Sequence, residues 1–599
     1  MAIRSLKTGR NMAFRASEEY VKRAGWDPEL VSEAYEWVES KVVSKPSLSA
    51  WQSAAANGML EAGIRPFNGF SLEHIRGTKV AGTIYDAHGR RNTAADLLAA
   101  GNPRIEDVLG RSFDYIIVGG GTSGCPLAAT LSQRYSEPVW PHVLDKEAVS
   151  KPPSQTKPQL IEDREKYGFV NLQTDEFTSV SQQFISEDGV FNVRGRILGG
   201  TTAINGALYS RASEEYVKRA GWDPELVVSK PSLSAWQSAA ANGMLEAGIR
   251  PFNGFSLEHI RGTKVAGTIY DAHGRRNTAA DLLAAGNPHK ITLPLNATLQ
   301  NIIFHDAGEG KQLRAHGIRF IRSNGNPDKF YELYLNHPND SGLWGDVILS
   351  AGALGSPQIL MLSGIGPKEH LTHFNITHLF DAGGVGHSMK DNTAIGISLN
   401  YSSQALHQIH LDPPHVAGIV DGFRIIIETV AFYPGYNTSI VVPMLGKLAS
   451  PASRGSLRLL SADPRQNPSV RFNYLAEEGD LDECAKLVRL IDKVARSRSV
   501  TSFLGRRQSV LPNGASSYQE LRDFCREKVT TVSHYHGGCV VGSVVNRDYK
   551  VFGLQGLRVV DGSTFLDAPG TNPMATVLML GRYQGIKMLR GRERIQVSE

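Results

Sequence analysis

From Tyr115 to Leu131 the chain reads Tyr-Ile-Ile-Val-Gly-Gly-Gly-Thr-Ser-Gly, then Cys-Pro-Leu-Ala-Ala-Thr-Leu, and this stretch restricts the fold more than any other. Tyr115 to Val118 is short, apolar and β-rich, the pattern of a parallel strand buried on both faces. Gly119, Gly121 and Gly124 then space out G-x-G-x-x-G, with Thr122 and Ser123 inside it, and a helical stretch follows. Such glycines permit a tight turn, close approach of backbone to a pyrophosphate and close packing of helix on strand. The helix start adds unpaired N–H groups and a positive dipole end. A strand before and a helix after separate this motif from an ordinary glycine turn. They predict an α/β domain with a dinucleotide pocket whose phosphates rest on residues 119–124.

Such a fold needs a second strand ending in an acidic residue, roughly 20 residues past the glycines, to hold the ribose. Ser136 to Glu147 reads Ser-Glu-Pro-Val-Trp-Pro-His-Val-Leu-Asp-Lys-Glu. Pro138 and Pro141 interrupt it, and proline is excluded from central strands. Glu137, Asp145 and Glu147 are the acids in range, and none ends a clean apolar run. The expectation is a second strand that is damaged or absent, followed by a loop or disordered insert over 148–165, which is polar and proline-rich.

Composition excludes several classes. A hydrophobic share of 41% and a charged share of 21% over 599 residues suit a globular protein with several cores. A net charge of +5 is too slight over this length to imply a nucleic-acid partner. No apolar run reaches the roughly 18 residues that a membrane span needs. Cys125, Cys484, Cys525 and Cys539 form no disulfide scaffold and no C-x-x-C metal spacing; one bridge, Cys484 to Cys525, is conceivable. Oligomeric state is not readable. The first residues are basic without an apolar core, so no secretory signal is expected there. Five N-x-[ST] sequons, at Asn296, Asn339, Asn375, Asn400 and Asn437, point the other way, toward a secretory life.

Residues 15–103 and 211–288 are the same sequence, except that the second copy lacks Ser32–Val42. Structural repeats have shorter periods and come in threes or more. Two letter-perfect copies far apart therefore read as a duplication or a mis-assembled gene rather than an architecture, and residues 1–110 are set aside as that duplicate. Within the missing segment Ala34, Trp37, Val38 and Lys41 recur at helical spacing, which predicts about three turns of amphipathic helix. One expectation is that this helix docks where the second copy lacks its own.

Further on, Asn192–Gly206 reads Asn-Val-Arg-Gly-Arg-Ile-Leu-Gly-Gly-Thr-Thr-Ala-Ile-Asn-Gly. Gly199 and Gly200 allow backbone to lie flat on a planar ligand, with Thr201 and Asn205 as polar contacts. Asp346–Pro367 reads as a buried strand, a glycine turn, a helix opening near Ser356-Pro357 and a glycine stop. Together the glycine fingerprint, Gly199-Gly200-Thr201 and the run Gly352-Ala-Leu-Gly-Ser-Pro-Gln-Ile-Leu-Met-Leu-Ser-Gly-Ile-Gly366 resemble the glucose–methanol–choline (GMC) flavoprotein oxidoreductases. Within that family the plant branch of HOTHEAD-type proteins and mandelonitrile lyases is the nearest likeness, over residues 111–136 and 166–595. The resemblance implies FAD, held in a Rossmann-like domain over 111–212, 289–382 and 530–595. It also implies a substrate domain of antiparallel sheet plus helices over 213–288 and 383–529. Members of the family carry Glu-Arg-Gly-Gly directly after the position of Tyr135-Ser136. This chain lacks it, so no residue is assigned as the ribose acid.

Near the C-terminus lie Ser533-His534-Tyr535-His536-Gly537-Gly538-Cys539, then Leu557-Arg-Val-Val-Asp561-Gly562, then Gly570-Thr-Asn572-Pro573. His-x-His on a strand can bind metal, but no cluster of partner ligands accompanies it and no metal is expected. Leu557–Val560 reads as a short buried strand with Asp561 at its ligand-contacting end. Pro573 suits a first helical position, and by residue type alone Thr571 or Asn572 caps that helix. The resemblance places Asp561, Gly562 and Pro573 at the flavin, makes His534 the catalytic histidine and puts Asn572 beside it; His536 reads as structural. It implies that His534 takes an alcohol proton while hydride leaves the carbinol carbon for flavin N5. Small-molecule substrates follow: an alcohol, including long-chain ω-hydroxy fatty acids for HOTHEAD-type members, or a cyanohydrin for the lyases. Lyases carry a second histidine where this chain has Asn572, and Tyr-Trp where it has Val532-Ser533, which favours alcohol oxidation. A member defective in FAD binding is the remaining alternative.

Overall fold

A computed structural model describes residues 108–133, 141–144, 181–205, 208–209, 233–257, 259–269, 277–287, 290–294, 297–305, 312–323, 325–336, 345–399, 416–420, 424–432, 441–504 and 516–597, and two short strands, Phe67–Phe70 and Thr78–Val80. Four parallel strands form the sheet that positions the site, in the order Leu557–Val559, Asp346–Leu349, Tyr115–Val118, Pro141–Leu144. Tyr115–Val118 is buried along its whole length, as its unbroken apolar run requires. Chain order and spatial order diverge between Tyr115–Val118 and Asp346–Leu349. That divergence makes a topological switch point, where ligands of open α/β sheets bind.

The second strand, expected to be damaged or absent, is present. Pro141–Leu144 runs parallel to Tyr115–Val118, from Tyr115 opposite Pro141 to Val118 opposite Leu144. The prolines misled because Pro141 is the first residue of a strand at the sheet edge, where a missing N–H is tolerated. Asp145, the next residue in sequence, and the insert expected over 148–165 lie outside the described residues.

Helix Gly124–Leu131 follows the glycine loop with every residue buried. It packs against the long helix Met574–Val597 and the 3-10 segment Ala279–Ala285. That segment shares the core of Tyr115, Leu127, Leu131, Met579 and Tyr583, although 213–288 was expected to belong with the substrate domain. An antiparallel meander, Ala297–His305, Arg314–Arg322 and Phe330–Leu335, flanks the same half and takes Ser112–Phe113 as a parallel fourth strand.

The other half is a seven-stranded sheet in the order Val529–Thr531, Thr393–Leu399, Val441–Leu448, Ile425–Phe432, Val416–Ile419, Gly262–Val265, Phe252–Phe255. All its pairs are antiparallel except the last. Alternation gives the sheet two characters. Ile395, Val416, Ile427 and Met444 share a core with helices Ala235–Glu246, Glu478–Ala495 and Tyr518–Lys528. The opposite face carries Ala394, Glu428, Leu445 and Lys447, matched in register as Ala394 with Lys447 and Glu428 with Leu445. The bridge Cys484–Cys525, conceivable from sequence, ties two of the covering helices. The architecture is therefore α/β: a Rossmann-like unit beside a largely antiparallel sheet backed by helices.

The second copy of the duplicate is built into both halves: Ala279–Ala285 packs in the first, and helix Ala235–Glu246 with strands Phe252–Phe255 and Gly262–Val265 in the second. Its helix Ala235–Glu246 opens on a reciprocal cap in which the Ser234 hydroxyl accepts from the Gln237 N–H and the Gln237 side chain accepts from the Ser234 N–H. Its strands Phe252–Phe255 and Gly262–Val265 pair in parallel with Phe252 opposite Thr263. In the first copy the equivalent strands pair in the same register, Phe67 opposite Thr78. The helix expected over Ser32–Val42 lies outside the described residues. So do the sequon residues Asn296, Asn339, Asn400 and Asn437, whereas Asn375 is exposed in a left-handed turn, φ 56°. No helix among the described residues is long and apolar enough to cross a membrane.

Candidate active site

At the switch point the three fingerprint glycines do different work. Gly119 has φ +113°, and a Cβ there would lie 2.3 Å from the Ser350 carbonyl oxygen at the end of the neighbouring strand. A Cβ on Gly124 would lie 1.9 Å from the Gly119 oxygen. Those two are glycine because protein atoms leave no room. Gly121 is different: its Cβ would meet nothing nearer than Gly200 Cα at 3.8 Å. The protein does not require glycine there, so the space kept beside Gly121 fits a ligand that approaches the backbone, as a pyrophosphate does. The Gly199-Gly200 turn closes on the same loop. The Gly199 N–H donates to the Gly120 oxygen at 2.7 Å, and a Cβ on Gly200 would lie 2.8 Å from Gly121 Cα.

The expected cofactor contacts divide between ligand space and framework. The Ser123 hydroxyl donates to the Val560 carbonyl, which the Ser350 hydroxyl also reaches, at 3.0 Å. Thr122 stands in the glycine loop, half-buried. The Thr201 hydroxyl oxygen accepts from the Gly195 N–H at 3.4 Å, and Asn205 Nδ2 lies 3.2 Å from Met574 Sδ, at the start of the long helix. Asp561 is buried. One carboxylate oxygen accepts from the Gly352 N–H at 2.9 Å and the Ser356 hydroxyl at 2.5 Å, and the other from the Ser563 N–H at 2.8 Å. Burial pushes this carboxyl up, and the bonds from Ser356, Ser563 and Gly352 oppose that. Asp561 thus anchors the positive start of helix Gly352–Leu362. That helix opens at Gly352 rather than near Ser356, and Pro357 lies inside it. A Cβ on Gly562 would lie 3.6 Å from the Tyr535 oxygen and 3.9 Å from Val577 Cγ2. The histidine loop is thereby set beside the helix that Pro573 precedes.

His534 is held by a run of buried polar residues that sequence reading missed, Lys390-Asp391-Asn392. Strand Val529–Thr531 pairs along Thr393–Leu399, and Ser533 then turns the chain with φ 58°. The His534 N–H donates to Asp391 Oδ1 at 2.8 Å, and its ring Nδ1 lies 3.0 Å from Asn392 Oδ1. Asn392 Nδ2 donates to the Leu448 and Ala449 carbonyls at 2.8 and 2.9 Å, which fixes the amide with its oxygen toward the ring. An oxygen can only accept, so Nδ1 carries the proton and Nε2 keeps its lone pair. Burial, then the nearby Lys447 cation and His536, hold His534 well below the usual imidazole range, so it is neutral. Asp391 also accepts from Tyr474 at 2.7 Å and from Thr531, yet burial raises it to about 6.

His536 is framework. Its backbone exchanges hydrogen bonds with Lys390, and Nδ1 donates to the His534 carbonyl at 3.0 Å. Burial lowers it to about 4, and its Nε2 is buried without a partner among the described residues. Asn572 faces the antiparallel sheet through its side-chain oxygen. Its Oδ1 accepts from Lys447 Nζ at 2.8 Å, and Lys447 pairs with Glu428 at 2.8 Å, both ends buried. One signal for this pair was available, since Lys447 and Glu428 are lone charges inside apolar strands, Val441–Leu448 and Ile425–Phe432.

Known proteins place the chain in a family. The GMC oxidoreductase family is matched twice, its N-terminal part over residues 226–394 and its C-terminal part over 451–581. Protein HOTHEAD of Arabidopsis thaliana is 37% identical, over 80% of this chain and 89% of its own length. An Arabidopsis thaliana protein named (R)-mandelonitrile lyase-like is 39% identical, over 80% of this chain and 90% of its own. Among solved structures, a variant of Aspergillus oryzae formate oxidase studied for its FAD modification superposes with a TM-score of 0.64. At 18% identity, covering 81% of this chain and 99% of that one, it shows the fold. The chain belongs to the GMC oxidoreductase family, whose cofactor is FAD.

Proposed function

We propose that this chain oxidises the CH–OH group of an alcohol, with His534 as the base and Asn572 as the hydrogen-bond donor to the substrate oxygen. The observation that carries the reading is the Asn392 bond to His534 Nδ1, which leaves Nε2 as the proton acceptor. Gly119, Gly121, Thr122, Gly124, Gly199 and Gly200 would line the FAD pyrophosphate and flavin side, with Ser123 and Asp561 bracing that wall. FAD, when bound, supplies the hydride acceptor. His534 takes the hydroxyl proton at Nε2, and neutrality makes it ready to do so. Asn572 Nδ2 meets the oxygen as negative charge grows there, and the Lys447 cation behind the amide favours that charge.

Long-chain ω-hydroxy fatty acids are the first substrates to try, on the likeness to HOTHEAD-type members. The likeness to mandelonitrile lyase-like proteins supports a second reading, cleavage of a cyanohydrin to aldehyde and cyanide. Asn572, in place of a second histidine, speaks for oxidation. The buried disulfide and exposed Asn375 suit an oxidising, secretory compartment. Anaerobic addition of an ω-hydroxy acid should bleach the flavin. Cyanide release from mandelonitrile without bleaching by any alcohol would replace oxidation with the lyase reading.

A further inference from the structure

Resting on that functional reading, the geometry points to Lys447, backed by Glu428, as the positioning residue that makes Asn572 a hydrogen-bond donor in the active site. An ammonium group has only donors, so the Asn572 atom 2.8 Å from Lys447 Nζ is the carbonyl oxygen. The amide is thereby set one way round, with Nδ2 and its two hydrogens pointing away from the lysine. Without the lysine an asparagine amide presents either end. An oxygen turned toward a nascent alkoxide would repel it.

Lys447 is itself set on rigid structure. It lies on the inner strand Val441–Leu448, opposite Ala394 on one side and Ile426 on the other. Its head group spans from Glu428 Oε1 to Asn572 Oδ1, 2.8 Å each way. It is fully buried, and the Glu428 carboxylate balances the charge. The same sheet face reaches the base: Asn392, one residue before the strand that pairs with Val441–Leu448, donates to the Leu448 carbonyl while orienting His534. Base and donor are therefore fixed from one pair of neighbouring strands. Burial lowers the lysine, and the Glu428 carboxylate beside it, through charge and hydrogen bond, opposes this and favours the ammonium form.

The test is a double-mutant cycle on FAD-loaded protein. Lys447→Met with Glu428→Gln removes the ion pair as a unit, so that no charge is left buried alone. In the Asn572 background it should lower the limiting rate of anaerobic flavin reduction by about tenfold, with little change in alcohol dissociation constant. In the Asn572→Ala background the same pair of substitutions should have no further effect, because there is no amide left to orient. Equal losses in both backgrounds would mean that Lys447 only packs, and would overturn the proposal. Asn572→Asp is the second variant. Its carboxylate pairs with Lys447 and keeps the fold, but brings no donor, so its rate should drop as far as that of Asn572→Ala; a rate near wild type would also overturn the proposal.

An optical readout separates this from the oxidation reading. Benzaldehyde is a product class shared by alcohol oxidation and cyanohydrin cleavage. Its bound carbonyl stretch should move to lower frequency in the wild type, and lose that shift both in Asn572→Ala and in the Lys447→Met, Glu428→Gln protein. If no alcohol reduces the flavin while this pattern holds, the oxidation reading fails and the positioning role stands. An unchanged band in the ion-pair variant would refute the role itself.

Discussion

Alanine at Gly121 and alanine at Gly124 should fail in opposite ways, although both break the same motif. A Cβ at Gly121 meets Gly200 Cα at 3.8 Å and the Ser350 oxygen at 4.0 Å, ordinary contact distances. Gly121→Ala therefore costs the polypeptide nothing, and a stiffer unfolded chain adds about 0.4–1 kcal/mol of stability. What it removes is the space for the pyrophosphate. A tenfold weaker flavin site lowers the stability of the loaded protein by about 1.4 kcal/mol. At Gly124 the Cβ would lie 1.9 Å from the Gly119 oxygen, which is backbone and cannot rotate away. Overpacking of that kind costs about 1–3 kcal/mol with or without a ligand. The assay is thermal unfolding of flavin-stripped and flavin-loaded protein, with flavin retained after desalting measured alongside. Gly121→Ala should melt at or slightly above wild type when stripped, yet lose its flavin, and Gly124→Ala should melt lower even when stripped. The reasoning fails if Gly121→Ala retains flavin as wild type does, or if its stripped form is destabilised.

Acid should weaken the fold through the histidine loop. His534 lies well below 6.5 and His536 is lowered to about 4, so the unfolded chain binds protons there that the folded chain refuses. Their contribution is complete above 6.5 and is lost as pH falls toward 4, with His536 alone worth on the order of 3 kcal/mol. Asp391, raised from 3.8 to about 6, and Asp561, also raised by burial, act in the opposite sense over part of that window, but the buried His259 is lowered as well, so three imidazoles face two carboxyls. Unfolding temperatures should fall from pH 6.5 to 4; a rise would contradict the histidine burial. Replacing Cys484 and Cys525 by alanine opens a link with a sequence separation of 41 and should cost about 4 kcal/mol by chain entropy, read from chemical denaturation. A loss below about 1 kcal/mol would show that the bridge hardly restricts the unfolded chain. Removing residues 1–105 tests whether Ser32–Val42, the segment that the second copy lacks, docks: an unchanged melting temperature excludes it, and a lower one supports it.

The fingerprint was legible because steric contacts dictate glycine at Gly119 and Gly124, while at Gly121 no protein contact does, which leaves the room we propose for the pyrophosphate. The second strand was not, because Pro138 and Pro141 read as an interruption when the sheet edge is unknown. The long C-terminal helix was anticipated from Pro573, but the helix at Gly352 begins earlier than its sequence suggested, since its acceptor, Asp561, is supplied by a strand far along the chain. Lys390-Asp391-Asn392 has no apolar period and looks like a surface turn. It is buried because its partners, His534 and Thr531, come from a segment more than a hundred residues away. Asn572 lies just before the helix Met574–Val597 that Pro573 signalled. Its side-chain oxygen accepts from Lys447, whose place in an apolar strand was the available sign.

On the proposed mechanism His534 removes the proton from an alcohol at a bound flavin. Anaerobic mixing of purified, flavin-loaded protein with alcohols of increasing chain length, ω-hydroxy fatty acids included, tests it most directly. The account predicts bleaching of the flavin by wild type, slowed by about a hundredfold or more in His534→Ala while the flavin stays bound. Equal bleaching rates in the two proteins would contradict it.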